Sequence, residues 1–451
     1  MMERLAQLAA RLDAPLHGAD AMFERICTDT RQLAAGDLFV ALRGDRFDGH
    51  DYLHQAEQAG AAGALVSRRV ESTLPQVCVP DTLQALQAYA ALWRGLFELP
   101  VVAVTGSNGK TTTKQLLASI FAARGPVLAT AGNLNNHIGV PLTLLQLRAT
   151  HRTAVIEMGA NHAGEIALLT RLAAPNIGVV TQAGDAHLEG FGSREGVARA
   201  KGELFAGLRQ GVAVINADDA YAPLWTGLAA DNARLSFGIE AQADIRASQI
   251  ELLADASRFQ LDTPHGSARV RLPLPGRHNI LNSLAAAACA VALGMDAGEI
   301  ASGLEQARNL GGRLSVQRTP QGAQLVDDSY NANPGSLRAG MEWLAGLSGE
   351  RWLILGDMAE LGSDREALHR QAGEQARQLG IQRLYALGAL AAHAAQGYGP
   401  GAQAYEEFET LVHAVRQDLA PGVTVLIKGS RSARMERVVA ALTGGPAGEN
   451  H

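Results

Sequence analysis

An apolar run, Leu99 to Val104, leads straight into Thr105-Gly106-Ser107-Asn108-Gly109-Lys110-Thr111-Thr112-Thr113. Few local patterns constrain a chain more. The run reads as a buried strand, Thr112 to Ala123 reads as a helix, and the turn between them must bend sharply on its glycines. Such a turn points backbone N–H groups at an anion, with a positive helix end behind it. Lys110 can reach the β- and γ-phosphates of a nucleotide, and Thr111 can offer a hydroxyl to Mg²⁺. The usual loop has a further glycine five residues before the Gly-Lys pair; Val104 stands there, so this is the shortened form, Gly106 to Lys110. The chain is expected to bind a nucleoside triphosphate.

At 451 residues the chain exceeds one core and suggests about three domains. With net charge −6, no basic block and no aromatic-basic interleaving, it has no nucleic-acid signature. Met1 to Leu16 carries Glu3, Arg4, Arg11 and Asp13, which does not read as a signal peptide. The strongly apolar Leu281 to Leu293 is too short to cross a bilayer and reads as a buried helix. Cys27, Cys78 and Cys289 lack metal spacing and fit a reducing compartment, with the cytoplasm as the expected location.

Along the chain, Asp37 to Leu42 reads as a strand, and Asp51 to Ala62 and residues 82 to 98 as helices. Strands are then expected at Thr153 to Met158, Asn176 to Thr181, Gly211 to Asn216 and Arg234 to Gly238, with helices between the first three. That alternation argues for a mostly parallel sheet wrapped by helices. Leu310-Gly311-Gly312-Arg313 reads as a hinge. Beyond it, strands at Ala323 to Asp327, Trp352 to Leu355, Arg383 to Leu387 and Val423 to Ile427 suggest a second, smaller α/β unit. The tail from Gly444 to His451 reads as disordered.

Polar residues gather at the expected strand ends. Glu157 closes an apolar strand, where a carboxylate beside a phosphate loop can hold Mg²⁺. His187 follows the next strand and falls on the same rim. Lys201 lies on the helix expected from Arg194 to Leu208, where spacing alone makes it a solvated charge. Arg277-His278-Asn279 opens the buried helix. Arg313, Asp328 and Ser329 to Pro334 cluster at the hinge and after a strand, and Lys428-Gly429-Ser430-Arg431 follows the last strand. Each alone could be turn chemistry; together they make a second polar rim able to close on the first.

Taken in order, these residues resemble a known family. The phosphate loop, Glu157-Met-Gly-Ala-Asn161, Ala200-Lys-Gly-Glu-Leu-Phe205, Gly276-Arg-His-Asn279, Asp327-Asp-Ser-Tyr-Asn-Ala-Asn-Pro334 and Lys428-Gly-Ser-Arg431 are similar to the Mur ligases of peptidoglycan synthesis over nearly the whole chain. Leu355-Gly-Asp-Met-Ala-Glu-Leu-Gly362 resembles the branch that acts last on the peptide stem, and Thr28-Asp-Thr-Arg31 with Gly44 to His50 resembles its UDP-sugar domain.

The resemblance implies an α/β chain of three domains. These are a small α/β UDP-sugar-binding domain (1–81), a central P-loop-type ATP-binding domain with a mostly parallel sheet (82–312), and a C-terminal Rossmann-like ligase domain (313–451). It implies an ATP-dependent amide ligase that uses Mg²⁺ and acts on small molecules, UDP-N-acetylmuramoyl-tripeptide and D-alanyl-D-alanine, as a monomer without a transmembrane segment or nucleic acid. Thr30, Arg46 and Phe47 match the uridine site; Asn135 and Asn136 lie along the muramyl-peptide path. Thr105 to Thr112 hold the phosphates, Asn279 reads adenine, and Arg313 and Asp328 reach the nucleotide. Glu157 and His187 join Thr111 around Mg²⁺, and Lys201 matches a carbamylated lysine supporting a second Mg²⁺. Lys428, Ser430 and Arg431 face the peptide or dipeptide. A folylpolyglutamate-type ligase and a nucleotide-driven binding switch are the alternatives.

Overall fold

Strands apolar on both faces are stable only between two layers of helix, and the central sheet meets that demand. In the computed structural model, which describes residues 2–185, 188–307 and 311–444, seven strands run parallel. They are β1 (Val101–Thr105), β2 (Val127–Ala129), β3 (Thr153–Glu157), β4 (Ile177–Val180), β5 (Val212–Asn216), β6 (Ala233–Gly238) and β7 (Ile245–Leu252), in spatial order β2-β3-β1-β4-β5-β6-β7. A hairpin of β8 (Ser257–Thr263) and β9 (Gly266–Leu272) extends the sheet antiparallel beyond β7. The sequence reading placed no strands between 245 and 272. It also left His187, Leu310 and the tail residues 445–451 with expectations that lie outside the described residues.

Alternation along β1 splits the interior in two. Val101 and Ala103 face a core shared with Tyr89 and Trp93 of α1 (Thr82–Arg94) and with Leu5 and Phe23 near the amino terminus. Val102 and Val104 face the opposite core. There α2 (Lys110–Phe121) supplies Leu116, Leu117 and Ile120, against Ile280, Leu284 and Cys289 of α5 (Arg277–Ala292). On the first face α1 is joined by α3 (Glu165–Ala173) and α4 (Arg194–Ala206), which follow β3 and β4 in the chain.

The amino-terminal sheet has five strands, the longest Gly63–Val66, within residues 16–78. A buried link joins this part to α1: the Tyr89 hydroxyl donates to Glu3 at 2.8 Å, and Arg11 holds the other Glu3 oxygen at 2.8 Å.

The carboxyl-terminal sheet has six strands: β10 (Ser315–Arg318), β11 (Gln324–Asp328), β12 (Glu350–Gly356), β13 (Arg383–Leu387), β14 (Ala402–Tyr405) and β15 (Val423–Lys428). Their spatial order is β10-β11-β15-β12-β13-β14, with only β10 antiparallel. Helix α6 (Pro334–Ala345) follows β11, and its N-terminus faces the phosphate loop. No helix among the described residues is long and apolar enough to cross a membrane.

Ile120 is fully buried on the inner face of the loop-bearing helix α2. Ile120→Ala leaves a cavity there and is expected to cost about 2–5 kcal/mol. Thermal unfolding should show a clear loss in Tm; an unchanged Tm would contradict this packing.

Candidate active site

Parallel sheets bind ligands beyond the carboxyl ends of their strands, where the strand order reverses. Here β2 and β3 lie to one side of β1 and β4 to the other, so the loop after β1 opens at that point. Gly106 has φ +143°, and an added Cβ would lie 1.9 Å from Thr181 Oγ1. Gly109 has φ +83°, and its Cβ would lie 2.1 Å from Asn282 Oδ1. Only glycine meets both the backbone and the space requirement. Thr181 Oγ1 donates to the Asn108 carbonyl at 2.6 Å, and Ser107 Oγ donates to the Gly184 carbonyl at 3.2 Å. The loop is thus clamped to the end of β4. Thr105 Oγ1 donates to the Met158 carbonyl at 2.8 Å, fixing the loop's start to the end of β3. Lys110 arches back, its ammonium donating to the carbonyls of Gly106 (2.7 Å) and Ser107 (3.2 Å).

Glu157 sits beneath this loop, 2% exposed. Its Oε1 accepts from Asn135 Nδ2 at 2.9 Å and from the Thr111 hydroxyl at 3.2 Å. Its Oε2 faces the ammonium of Lys114, 1% exposed, at 3.2 Å. Burial, the largest influence, pushes the Glu157 carboxyl up, but Lys114, Lys110 and the Asn135 hydrogen bond outweigh it and hold the group below its ordinary value. Burial also drives the Lys110 ammonium down, helped by the charge of Arg313.

One cavity of about 550 Å³ gathers this loop, Asn135, Asn136 and Glu157 with His278, Asn279 and Asn282 from the start of α5. Its other wall comes from the carboxyl-terminal sheet: Arg313, Asp328, Tyr330, Asn333 and Lys428. Arg313 Nη2 donates to Thr111 Oγ1 at 3.0 Å while its guanidinium lies 4.2 Å over the Tyr330 ring. Lys428 and Asp328 are register partners on β15 and β11, with the ammonium 2.5 Å from Asp328 Oδ2. Asn279 Nδ2 donates to the Pro275 carbonyl at 2.8 Å, and its Oδ1 accepts from Asn282. Asn136 Oδ1 accepts from Gly139 N–H at 2.8 Å, just before the helix Gly139–Leu144. Burial lowers the His278 imidazole to about 4, leaving it neutral at physiological pH.

Other expected residues lie elsewhere. Lys201 stands off the cavity wall, 2% exposed, donating to the Ala160 carbonyl at 3.2 Å with its ammonium 5.1 Å over the Phe191 ring. Ser430 is buried and donates to the Asp357 carbonyl at 2.6 Å, and Arg431 faces Glu436. Thr30, hydrogen-bonded to Gln55, and the exposed Arg46 and Phe47 belong to the amino-terminal part, Phe47 on a short hairpin. Lys114 and Asn282 were not singled out from sequence. The signal was there: Lys114 shares the i, i+3, i+7 face of Leu117 and Phe121, and Asn282 lies one turn after Asn279.

No group of three His, Cys, Asp or Glu that could hold a metal is found among the described residues. Among the described residues, a cation here would find the Thr111 hydroxyl and one Glu157 oxygen, to be joined by phosphate oxygens and water. That hard-oxygen set suits Mg²⁺, which keeps several waters and takes one or two carboxylates.

Three family descriptions match the chain in order: "Mur ligase family, catalytic domain" at residues 23–94, "Mur ligase middle domain" at 104–290 and "Mur ligase, glutamate ligase domain" at 312–431. The UDP-N-acetylmuramoyl-tripeptide–D-alanyl-D-alanine ligase of Escherichia coli (strain K12) is 45% identical over 97% of this chain and 98% of its own length. The chain belongs to the Mur ligase family. A crystal structure of MurF from Acinetobacter baumannii superposes with TM-score 0.91 at 37% identity, covering 97% of this chain and 98% of the other. MurF ligase from Thermotoga maritima, crystallised with ADP, gives TM-score 0.83 at 28% identity, with 93% and 97% covered. The α/β architecture of this Mur ligase and its mostly parallel central sheet agree with the sequence expectation.

Burial, reinforced by the charge of Lys110, lowers the Lys201 ammonium from 10.5 to about 7. Between those values the unfolded chain binds a proton that the folded chain has released, so Lys201 makes stability rise with pH across that window. Below about pH 7 the cost of charging Lys201 is fully present. The difference in Tm between wild type and Lys201→Met should therefore shift in favour of wild type from pH 7 to 10. A difference constant over that range would mean a solvated lysine.

Proposed function

We propose that this Mur ligase joins D-alanyl-D-alanine to the terminal carboxylate of UDP-N-acetylmuramoyl-tripeptide, consuming ATP and releasing ADP and phosphate. The observation that carries this reading is the 45% identity, over nearly the full length of both chains, to the Escherichia coli ligase of that name. The cavity chemistry agrees with it. The tripeptide carboxylate attacks the γ-phosphorus as the bond to ADP breaks, giving an acyl phosphate. The dipeptide amine then attacks the acyl carbon, the C–N bond forms, phosphate leaves and the amine proton is lost. Lys110 and Arg313 supply positive charge where the transferring phosphoryl oxygens gather negative charge. Asn135 and Glu157 orient the floor, and the third domain covers the acyl phosphate against water. Thr111 and Glu157 would hold Mg²⁺, which when bound neutralises phosphate charge; His187 completes that set in our reading.

Lys201 has the burial, and through it the ease of losing its proton, that carbamylation by CO₂ requires, and the resulting carboxylate would support a second Mg²⁺. The division at 1–81, 82–312 and 313–451, the uridine site at Thr30, Arg46 and Phe47, adenine recognition at Asn279, and the contacts of Lys428, Ser430 and Arg431 with the peptide or dipeptide belong to the same proposal. So do a cytoplasmic location and a monomer.

Phosphate release coupled to a colour reaction tests the reading, with tripeptide precursors carrying lysine or diaminopimelate and with or without D-alanyl-D-alanine. Turnover should require both substrates; ATP hydrolysis indifferent to them would mark a nucleotide switch. Lys110→Ala should lower kcat on the order of 10²-fold or more. Near-normal turnover of that variant would sink the assignment of the loop.

A further inference from the structure

The phosphate loop and the third domain touch through a pair of side-chain amides separated by 225 positions in sequence. Asn333 Nδ2 donates to Asn108 Oδ1 at 2.7 Å, and Asn108 Nδ2 donates back to Asn333 Oδ1 at 3.3 Å. Both residues are tied to their own domains. The Asn108 carbonyl is held by Thr181 at the end of β4. Asn333 is the N-cap of α6, its Oδ1 also accepting from Ser336 N–H at 2.9 Å, and it is 9% exposed. A carboxamide carries a donor and an acceptor side by side, so two of them can close a reciprocal ring that a hydroxyl or carboxylate cannot match.

From this geometry we infer that the Asn108–Asn333 pair is a latch: the shape of the phosphate loop and the docking of α6 are one coupled equilibrium. The loop can adopt its clamped form most readily when α6 is docked, and docking brings Arg313, Asp328 and Lys428 to the cavity. Asn108 is therefore a positioning residue that acts through the third domain, in addition to presenting its backbone to phosphate. A preference for the docked form on one side of the pair must appear as higher nucleotide affinity on the other. The nucleotide arm of this inference rests on the ATP reading above; the docking arm does not.

The test uses Asn108→Ala, Asn333→Ser and the double variant in the full chain. Serine keeps the N-cap of α6 but removes the amide donor, so Tm of Asn333→Ser should stay close to wild type. Small-angle scattering of the ligand-free proteins should show a larger radius of gyration for each single variant. Each should also bind ADP about 5- to 10-fold more weakly, the scale of one lost hydrogen-bonded contact. The double variant should be no worse than either single one, because the second substitution has nothing left to break. Losses that multiply in the double variant, or single variants that scatter and bind ADP as wild type does, would overturn the latch. A wild-type chain that binds no ADP would instead overturn the nucleotide reading, and the scattering would still judge the latch.

Discussion

A carboxylate taken out of water must find positive charge or give up its own. Glu157 meets that constraint with two lysines from one helix, and much of the site follows from how they share it. Lys114 approaches from inside at 3.2 Å, and Lys110 acts from the loop above. Four residues apart on α2, the two ammonium groups stand on one helical face, so the strand end and the helix start are held together electrostatically as well as by packing. With its inner oxygen turned toward Lys114, Glu157 turns the other toward Thr111 and Asn135. A neutral side chain in place of Lys114 would leave a buried, half-compensated carboxylate at the base of the phosphate loop.

Positive charge outnumbers negative here. Lys110, Lys114, Arg313 and Lys428 stand against the carboxylates of Glu157, Glu165 and Asp328, four cations to three anions. Such an excess destabilises the folded chain by itself and is offset by a polyanion. A triphosphate with its cation fits that imbalance better than a neutral ligand does. Part of the excess comes from the other side of the cavity, since Arg313 belongs to the chain beyond the second sheet. Charge compensation and domain docking are consequently linked.

Much of this was legible in the sequence because it is local. The phosphate loop, Glu157 at the end of its strand and the buried helix starting at Arg277 each depend on a few consecutive residues, and they lie where the pattern put them. The hairpin of β8 and β9 escaped although its alternation is that of a half-buried strand, with Phe259 and Leu261 buried in the core between Arg258, Gln260 and Asp262. Lys114 escaped because a lysine in a helix is solvated unless tertiary structure covers it, and the residue that covers it comes from a strand 43 positions away. The Asn108–Asn333 pair is the extreme case. Nothing near either residue announces the other, and only the meeting of two separately folded sheets makes them neighbours. Lys201 stands between these cases, since its burial is a tertiary fact but a family likeness drew attention to it.

The two loop glycines carry a consequence for chemical intervention. At Gly106 and Gly109 any side chain would strike Thr181 or Asn282 within about the length of a covalent bond plus a fraction, on a backbone that other residues adopt only with strain. An inhibitor that takes its affinity from the backbone amides of this loop would therefore contact a surface the gene can hardly alter. Resistance would have to arise at more distant walls of the cavity, where side chains rather than backbone make the contact.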